Sequence, residues 1–255
     1  MRFVRTIQLL LYVTFFSSLL IAQVNTERYR QDSDSGFTAS IDIEALAQTG
    51  NTDFQFLGLG GRLNFNRNTG YSFLVFSGGY GWNDGKQFSN ELLTHLRNVE
   101  ALEDWLQLEA FIQFDYNRKR KLVSRELIGA GLRYKIITDE NFRFRLGTAY
   151  FFEAEQYDLE ENASHDKHTY AHRLSSYITF EIDLKNDLKF LSVSYFQPDL
   201  NDFADYRMIS ENSIILNLSK LFDFNIKFNL RYDATPPDDI KDLDTITKFG
   251  LTFKF

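Results

Sequence analysis

The chain has no cysteine, and only three prolines and two methionines among its 255 residues. The first absence excludes disulfides, thiolate catalysis, zinc–thiolate sites and a lipidated cysteine anchor. The scarcity of proline leaves long stretches able to donate every backbone N–H to a ladder. Pro198, Pro236 and Pro237 fall in expected connections, where a missing donor does no harm. Beyond residue 22 no apolar run approaches the ~20 residues of a spanning helix. Excess positive charge is also missing: the formal net charge is −7, which argues against a nucleic-acid partner. A mean hydropathy of −0.31 fits a soluble domain. Alternating strands, however, hide one apolar face from any average.

What is present begins with a leader. Arg2 and Arg5 precede an apolar run from Ile7 to Ala22, the charged and hydrophobic regions of a signal peptide with cleavage expected after Ala22. Residues 23–35 are polar and are expected to form a flexible lead in the periplasm.

From Gly36 a period of two takes over. Phe222, Phe224, Ile226, Phe228, Leu230 and Tyr232 alternate with Asp223, Asn225, Lys227, Asn229, Arg231 and Asp233. Successive side chains leave a strand on opposite faces, so this is a strand with one apolar side. The same split recurs at 106–117 and 142–155. Twelve such segments can be drawn, near 36–48, 53–66, 71–83, 89–101, 105–117, 123–137, 142–157, 167–183, 187–197, 207–219, 222–233 and 244–255. The fourth and ninth alternate least cleanly. Short turns at one end are expected to alternate with longer polar loops at the other (84–88, 118–122, 158–166, 198–206, 234–243), only 49–52 being tight among the latter.

A soluble sandwich also alternates, but its strands average about 5–6 residues. These run to about twice that, as tilted spanning strands require. The expected fold is therefore all-β: a transmembrane up-and-down antiparallel barrel of twelve strands over 36–255, with both termini in the periplasm. The closing residues strengthen this. Lys248, Gly250, Phe253 and Phe255 make a polar-x-Gly-x-x-aromatic-x-aromatic pattern that resembles the insertion signal of bacterial outer-membrane barrels. That resemblance implies capture of the last strand by the barrel-assembly machinery, with outer-membrane lipid and lipopolysaccharide as surroundings.

Three stretches carry a family likeness: "GNTD" at 50–53, "GLGGRLNFNR" at 58–67 and "RELIGAGLRYKI" at 125–136, the last with Gly129, Gly131 and Tyr134. Over residues 36–255 the chain resembles the bacterial outer-membrane proteins grouped as domain-of-unknown-function family 481, some labelled salt-induced outer-membrane proteins. The resemblance implies fold and location. It brings no catalytic residues.

Candidate sites follow from alternation. Glu44, Arg62, Glu109, Asp115, Arg133, Arg143, Arg145, Glu153, Arg173, Lys227 and Arg231 are expected to line the lumen, together with Asp42, Lys135, Glu155, Glu181 and Lys248. Both signs occur, so no single-sign filter is visible, and the charges can pair and plug the interior. Arg118, Lys119, Arg120 and Lys121, with Arg125 beyond, form a basic outer loop, either simply solvated or touching lipopolysaccharide phosphates. The glycines of 58–61 and 78–81 sit inside strands, so they are read as relief for bending or luminal crowding, not as phosphate loops. His165, His168 and His172 lie beside Glu160, Glu161 and Asp166, but residues four apart on a strand are about 13 Å apart, too far for one ion. The same spacing separates His172 from Ser176 and works against a rim hydrolase. No metal, cofactor or catalytic residue is expected. The leading reading is a non-enzymatic envelope barrel, a narrow pore or a plugged structural one. The alternatives are a lipid- or lipopolysaccharide-modifying enzyme with a rim site, and a surface binder using the long outer loops.

Overall fold

The structure is a computed structural model that describes residues 36–50, 53–184 and 187–255. The expected leader and polar lead lie outside the described residues. Twelve strands follow in order: β1 Gly36–Gln48, β2 Phe54–Asn66, β3 Gly70–Asn83, β4 Lys86–Ala101, β5 Leu106–Asn117, β6 Leu122–Thr138, β7 Phe142–Tyr157, β8 His168–Leu184, β9 Leu188–Pro198, β10 Tyr206–Asn217, β11 Phe222–Asp233 and β12 Leu243–Lys254. Each pairs antiparallel with its sequence neighbours, and β1 pairs with β12 to close the barrel. The expected strand count and topology are those observed.

Alternation sorts the side chains. On β2, Leu57, Leu59, Leu63 and Phe65 face outward and are exposed, while Phe56, Arg62 and Asn64 face inward and are buried. On β5, Leu108, Ile112 and Phe114 face out, while Gln107, Glu109, Gln113 and Asp115 face in. The outer surface thus carries a band of leucine and isoleucine. Aromatic pairs stand at both ends of that band. Tyr80–Trp82 and Tyr206–Tyr232 lie toward the rim of the longer loops, with ring centroids 6.0 and 5.7 Å apart. Trp105–Tyr134 and Phe222–Phe253 lie at the rim of the short turns, 6.0 and 5.0 Å apart.

Four details depart from the sequence reading. The stretch 84–88 is not a loop: Asp84 and Gly85, at φ 49° and 73°, make a two-residue turn between β3 and β4. A two-residue hairpin turn with two positive φ values is what an Asp-Gly pair favours. Residues 118–120 form a turn of 3-10 helix instead of an open loop. Pro198 closes β9 instead of following it. Finally, β9 is inverted along its middle, and β10 beside it turns Ile209 inward and Ser210 and Asn212 outward. Leu191, Val193, Tyr195 and Ile209 are buried inside, while Ser192, Ser194, Ser210 and Asn212 face outward. Those outward hydroxyls and the amide satisfy one another, Ser192 donating to Asn212 Oδ1 at 2.8 Å and Ser194 bonding Ser210 at 2.9 Å.

Candidate functional site

Among the described residues the interior concentrates buried polar side chains, arranged in tiers. Near the long-loop rim the carboxylate of Glu153 on β7 is a hub. It accepts from Arg125 Nε on β6 at 2.8 Å, from Arg173 Nε on β8 at 2.5 Å and from Arg207 Nη1 on β10 at 2.9 Å. Arg207 also reaches Glu155 at 2.8 Å and Asp233 at 2.9 Å, so one guanidinium ties β10 to β7 and β11. Arg173 continues to Asp205 in the loop after β9 at 2.8 Å, and Arg231 pairs with Asp233 at 3.2 Å. Arg120 and Arg125 both stand 3.7 Å from Asp115.

Below this tier lies an apolar one. Phe111, Leu127, Ala149 and Phe151 pack together, and Tyr71, Phe73, Val75, Leu93 and Val99 form a second cluster. His95 is stacked between Phe73 and Phe111. Arg97 Nε–H can only donate, so His95 Nε2 accepts at 3.2 Å and Nδ1–H donates to Gln113 Oε1 at 3.0 Å; the imidazole is neutral.

The third tier lies toward the short-turn rim. Arg97 pairs with Glu109 at 3.1 Å, and Tyr177 on β8 donates to both oxygens of Glu109 on β5 at 2.9 Å. Arg133 on β6 donates to Tyr71 OH on β3 at 2.6 Å. Arg143 and Lys189 converge on Glu181 at 2.9 and 3.0 Å, and Arg143 also holds Asp183. Arg62 lies over the ring of Phe73, 3.6 Å from its centroid. Bonds such as Tyr177–Glu109, Arg133–Tyr71 and Arg207–Glu153 join strands three places apart, so they cross the lumen instead of running along its wall. Cavities among these tiers measure about 10 Å³ beside His95, Glu109 and Tyr177, and about 20 Å³ beside Arg120, Arg231 and Asp233. Such spaces hold a single water or little more.

A smaller group lies beside the closing strands. Glu44 on β1 takes Lys227 on β11 at 2.7 Å and Lys248 on β12 at 3.0 Å, and Asp42 accepts from Thr252.

Every lumen residue expected from alternation is buried or half-buried within the barrel. The basic stretch is divided. Arg118 is exposed and donates to Gln87 at 3.1 Å, and Lys121 pairs with Asp239 at 2.9 Å. Arg120 is buried, and Lys119 turns over the ring of Phe88 at 4.5 Å, where burial lowers its ammonium to about 8. Arg125, read as part of that loop, is a buried member of the Glu153 hub, because Leu122 already starts β6. The loop histidines do not converge. His165 bonds the Asp166 carbonyl at 2.8 Å, and His172 meets Tyr150 OH at 2.6 Å on the outer face. Among the described residues no three metal-ligating side chains come together.

Sequence reasoning missed Arg97, His95, Arg207 and Tyr177. For Arg97 and His95 the signal was their shared parity with Glu91 on β4.

A family model described as "Protein of unknown function, DUF481" matches residues 41–255. No curated protein matches the sequence significantly. Among solved structures the chain is similar to the NanC porin, at 11% identity and a TM-score of 0.48, with 86% of this chain and 98% of that one covered. It is similar to the translocator domain of the autotransporter NalP from Neisseria meningitidis at 8% identity and a TM-score of 0.49, covering 88% and 90%. The KdgM porin follows at 8% identity and a TM-score of 0.43, covering 86% and 99%. Likenesses this distant say nothing about activity.

Proposed function

Since the chain belongs to the family described as "Protein of unknown function, DUF481", whose name carries no activity, we propose from its geometry that it is a non-enzymatic barrel of the bacterial outer membrane, closed along its axis by its own side chains. Membrane placement is supported by the outward band of exposed leucine and isoleucine between two aromatic rims, the pattern that lipid and its interfaces select. The exported leader belongs to the same proposal. A soluble barrel would expose that band to water at a cost of roughly 25 cal/mol for each Å².

The observation that carries the plugged reading over the open pore is the Glu153 hub, with Arg125, Arg173 and Arg207 converging on one carboxylate inside the barrel. A conducting lumen keeps its charges hydrated along a continuous path. Here they are bonded to each other, and an apolar tier of Phe111, Leu127 and Phe151 lies beneath them. Electrostatic pairing of this kind serves the barrel as filling and bracing. The test is planar-bilayer recording with the purified protein, run beside an assay of acyl-ester hydrolysis on phospholipid and lipopolysaccharide. A plugged barrel gives neither steady unitary currents nor hydrolysis. Regular single-channel steps would replace the reading with a pore, and ester cleavage would replace it with the rim enzyme.

A further inference from the structure

Four short polar side chains interrupt the apolar outer band. Ser192 and Ser194 on β9 and Ser210 and Asn212 on β10 face outward and are half-exposed. They stand as two directly opposed pairs near the middle of β9, Ser194 against Ser210 and Ser192 against Asn212. Larger residues surround them. Ile178 and Phe180 flank the pairs on β8, and Leu230 and Phe228 flank them on β11. Phe196 and Met208 stand next to them toward the long-loop rim, both exposed. The outcome is a shallow polar recess in a wall that otherwise suits hydrocarbon.

The bonding within the recess is one acceptor short. Three hydroxyls and one amide group carry five donor hydrogens. Four hydrogen bonds use four of them. Ser192 donates to Asn212 Oδ1 at 2.8 Å, and the Asn212 amide donates to Ser210 Oγ at 3.1 Å and to the Phe228 carbonyl at 3.3 Å. The fourth joins Ser194 and Ser210 at 2.9 Å. Whichever of these two serines donates, the hydroxyl hydrogen of the other has no acceptor among the described residues. Water would take that hydrogen. Lipid tails cannot, and a polar group left unbonded in hydrocarbon is costly.

A second copy of the chain supplies what is missing. Inserted with the same orientation, it holds its own recess at the same depth. Hydroxyl and amide groups both donate and accept, and none of the four side chains is charged, so recess can face recess without repulsion. Each spare hydrogen then meets an oxygen of the other copy. This is an isologous contact about a two-fold axis along the membrane normal. Its size sets its strength. From strand spacing and rise, the recess with its surround covers roughly 20 Å by 20 Å of wall, roughly half of what one partner contributes to a standard interface. Apolar area adds little between partners in lipid, which is as apolar as leucine. The contact therefore depends on its hydrogen bonds and is reversible.

Resting on the membrane placement proposed above, we propose that the outward recess on β9 and β10 is the contact face of a reversible homodimer, two barrels side by side in the bilayer with Ser194 and Ser210 of each against those of the other.

The test counts copies in phosphatidylcholine vesicles. Because the chain has no native thiol, one fluorophore can be placed on Glu103→Cys, in the exposed turn after β4. Photobleaching steps are then scored over a range of protein-to-lipid ratios. Two-step spots are expected, their share rising with the ratio. Ser192→Ala, Ser194→Ala, Ser210→Ala and Asn212→Leu together make the wall uniformly apolar, which lipid tolerates, and should raise the ratio needed for half dimer by about tenfold. Ser194→Phe alone, which fills the recess, should shift it the same way. Leu59→Ala with Leu63→Ala, outward on β2 across the barrel, should leave it unchanged. One-step spots at every ratio, recess variants that dimerise like the parent, or an equal shift from the β2 pair overturn the interface, while protein that floats with its vesicles keeps the membrane reading intact. Folded protein that does not float with vesicles overturns both.

Discussion

Replacing Gly147 by alanine should destabilise the barrel by about 3–5 kcal/mol, adding the cost of overpacking to that of a lost bond to a charged acceptor. Gly147 sits on the inner face of β7, and a Cβ there would stand 2.0 Å from the Tyr177 ring, inside any tolerable contact. Tyr177 cannot simply step aside. It is buried, packed against the tilted ring of Tyr195, and its hydroxyl donates to Glu109, which also carries Arg97. Moving the ring breaks the bridge from β8 to β5 and leaves Glu109 with less compensation. Gly60 supplies the control on the same luminal face. Its built Cβ meets nothing closer than 3.5 Å, and its φ is not in the left-handed region. Gly60→Ala should therefore be neutral or stabilising by roughly 0.5–1 kcal/mol, because alanine loses less backbone freedom on folding. Urea unfolding in lipid vesicles, followed through Trp82 and Trp105 emission, measures both. If Gly147→Ala unfolds within about 0.5 kcal/mol of the parent, or the two variants fall together, the tight interior argued from these contacts is wrong.

Further outcomes follow from the same contacts. Glu153→Ala leaves three buried guanidiniums around a vacancy and should cost about 3–5 kcal/mol by urea unfolding, with bilayer recordings showing intermittent conductance that the parent lacks. The Ser164 hydroxyl and the N–H groups of His165 and Ser164 hold the Asp238 carboxyl down to about 2. The tether from Asp238 to Ser164 and His165 is then fully present above the ordinary carboxylate range and is lost as pH falls toward 2, so limited proteolysis of the 234–242 loop should stay slow from pH 7 to about 4 and quicken below. Lys119 titrates in the opposite setting: burial lowers a cation, so its charged form costs the fold below about 8 and that cost fades as pH rises toward its unfolded value. The stability gap between the parent and Lys119→Gln, measured at pH 7 and at pH 9.5, should therefore narrow at the higher pH.

The strands were legible because each one places lipid-type residues and lumen-type residues on strictly opposite sides. β5 and β11 show this most plainly, and twelve segments could be bounded to within a few residues. The reading faltered where the two environments resemble each other. β9 puts serine outside and valine inside, since its hydroxyls bond to β10 and its Val193 packs on Tyr177. The β3–β4 turn was missed by favouring a polar loop over the Asp-Gly signal. Luminal parity picked out Glu153 and Arg173, but not that Arg207 shares the Glu153 carboxylate with Arg173, because strands three places apart meet across space that no local spacing encodes. Arg125 was hidden by its nearness to four basic loop residues. The glycines were legible as relief for crowding. Which rings they seat was not.

The Glu153 hub has a consequence for how the molecule is made. Its partners come from β6, β8 and β10, so the carboxylate is neutralised only once the staves around it stand together. A half-assembled sheet would carry bare guanidiniums toward hydrocarbon, which expels them. Entering the bilayer and filling the interior must therefore happen as one concerted act, and a chain stalled midway is held at the water boundary by its own unspent charge.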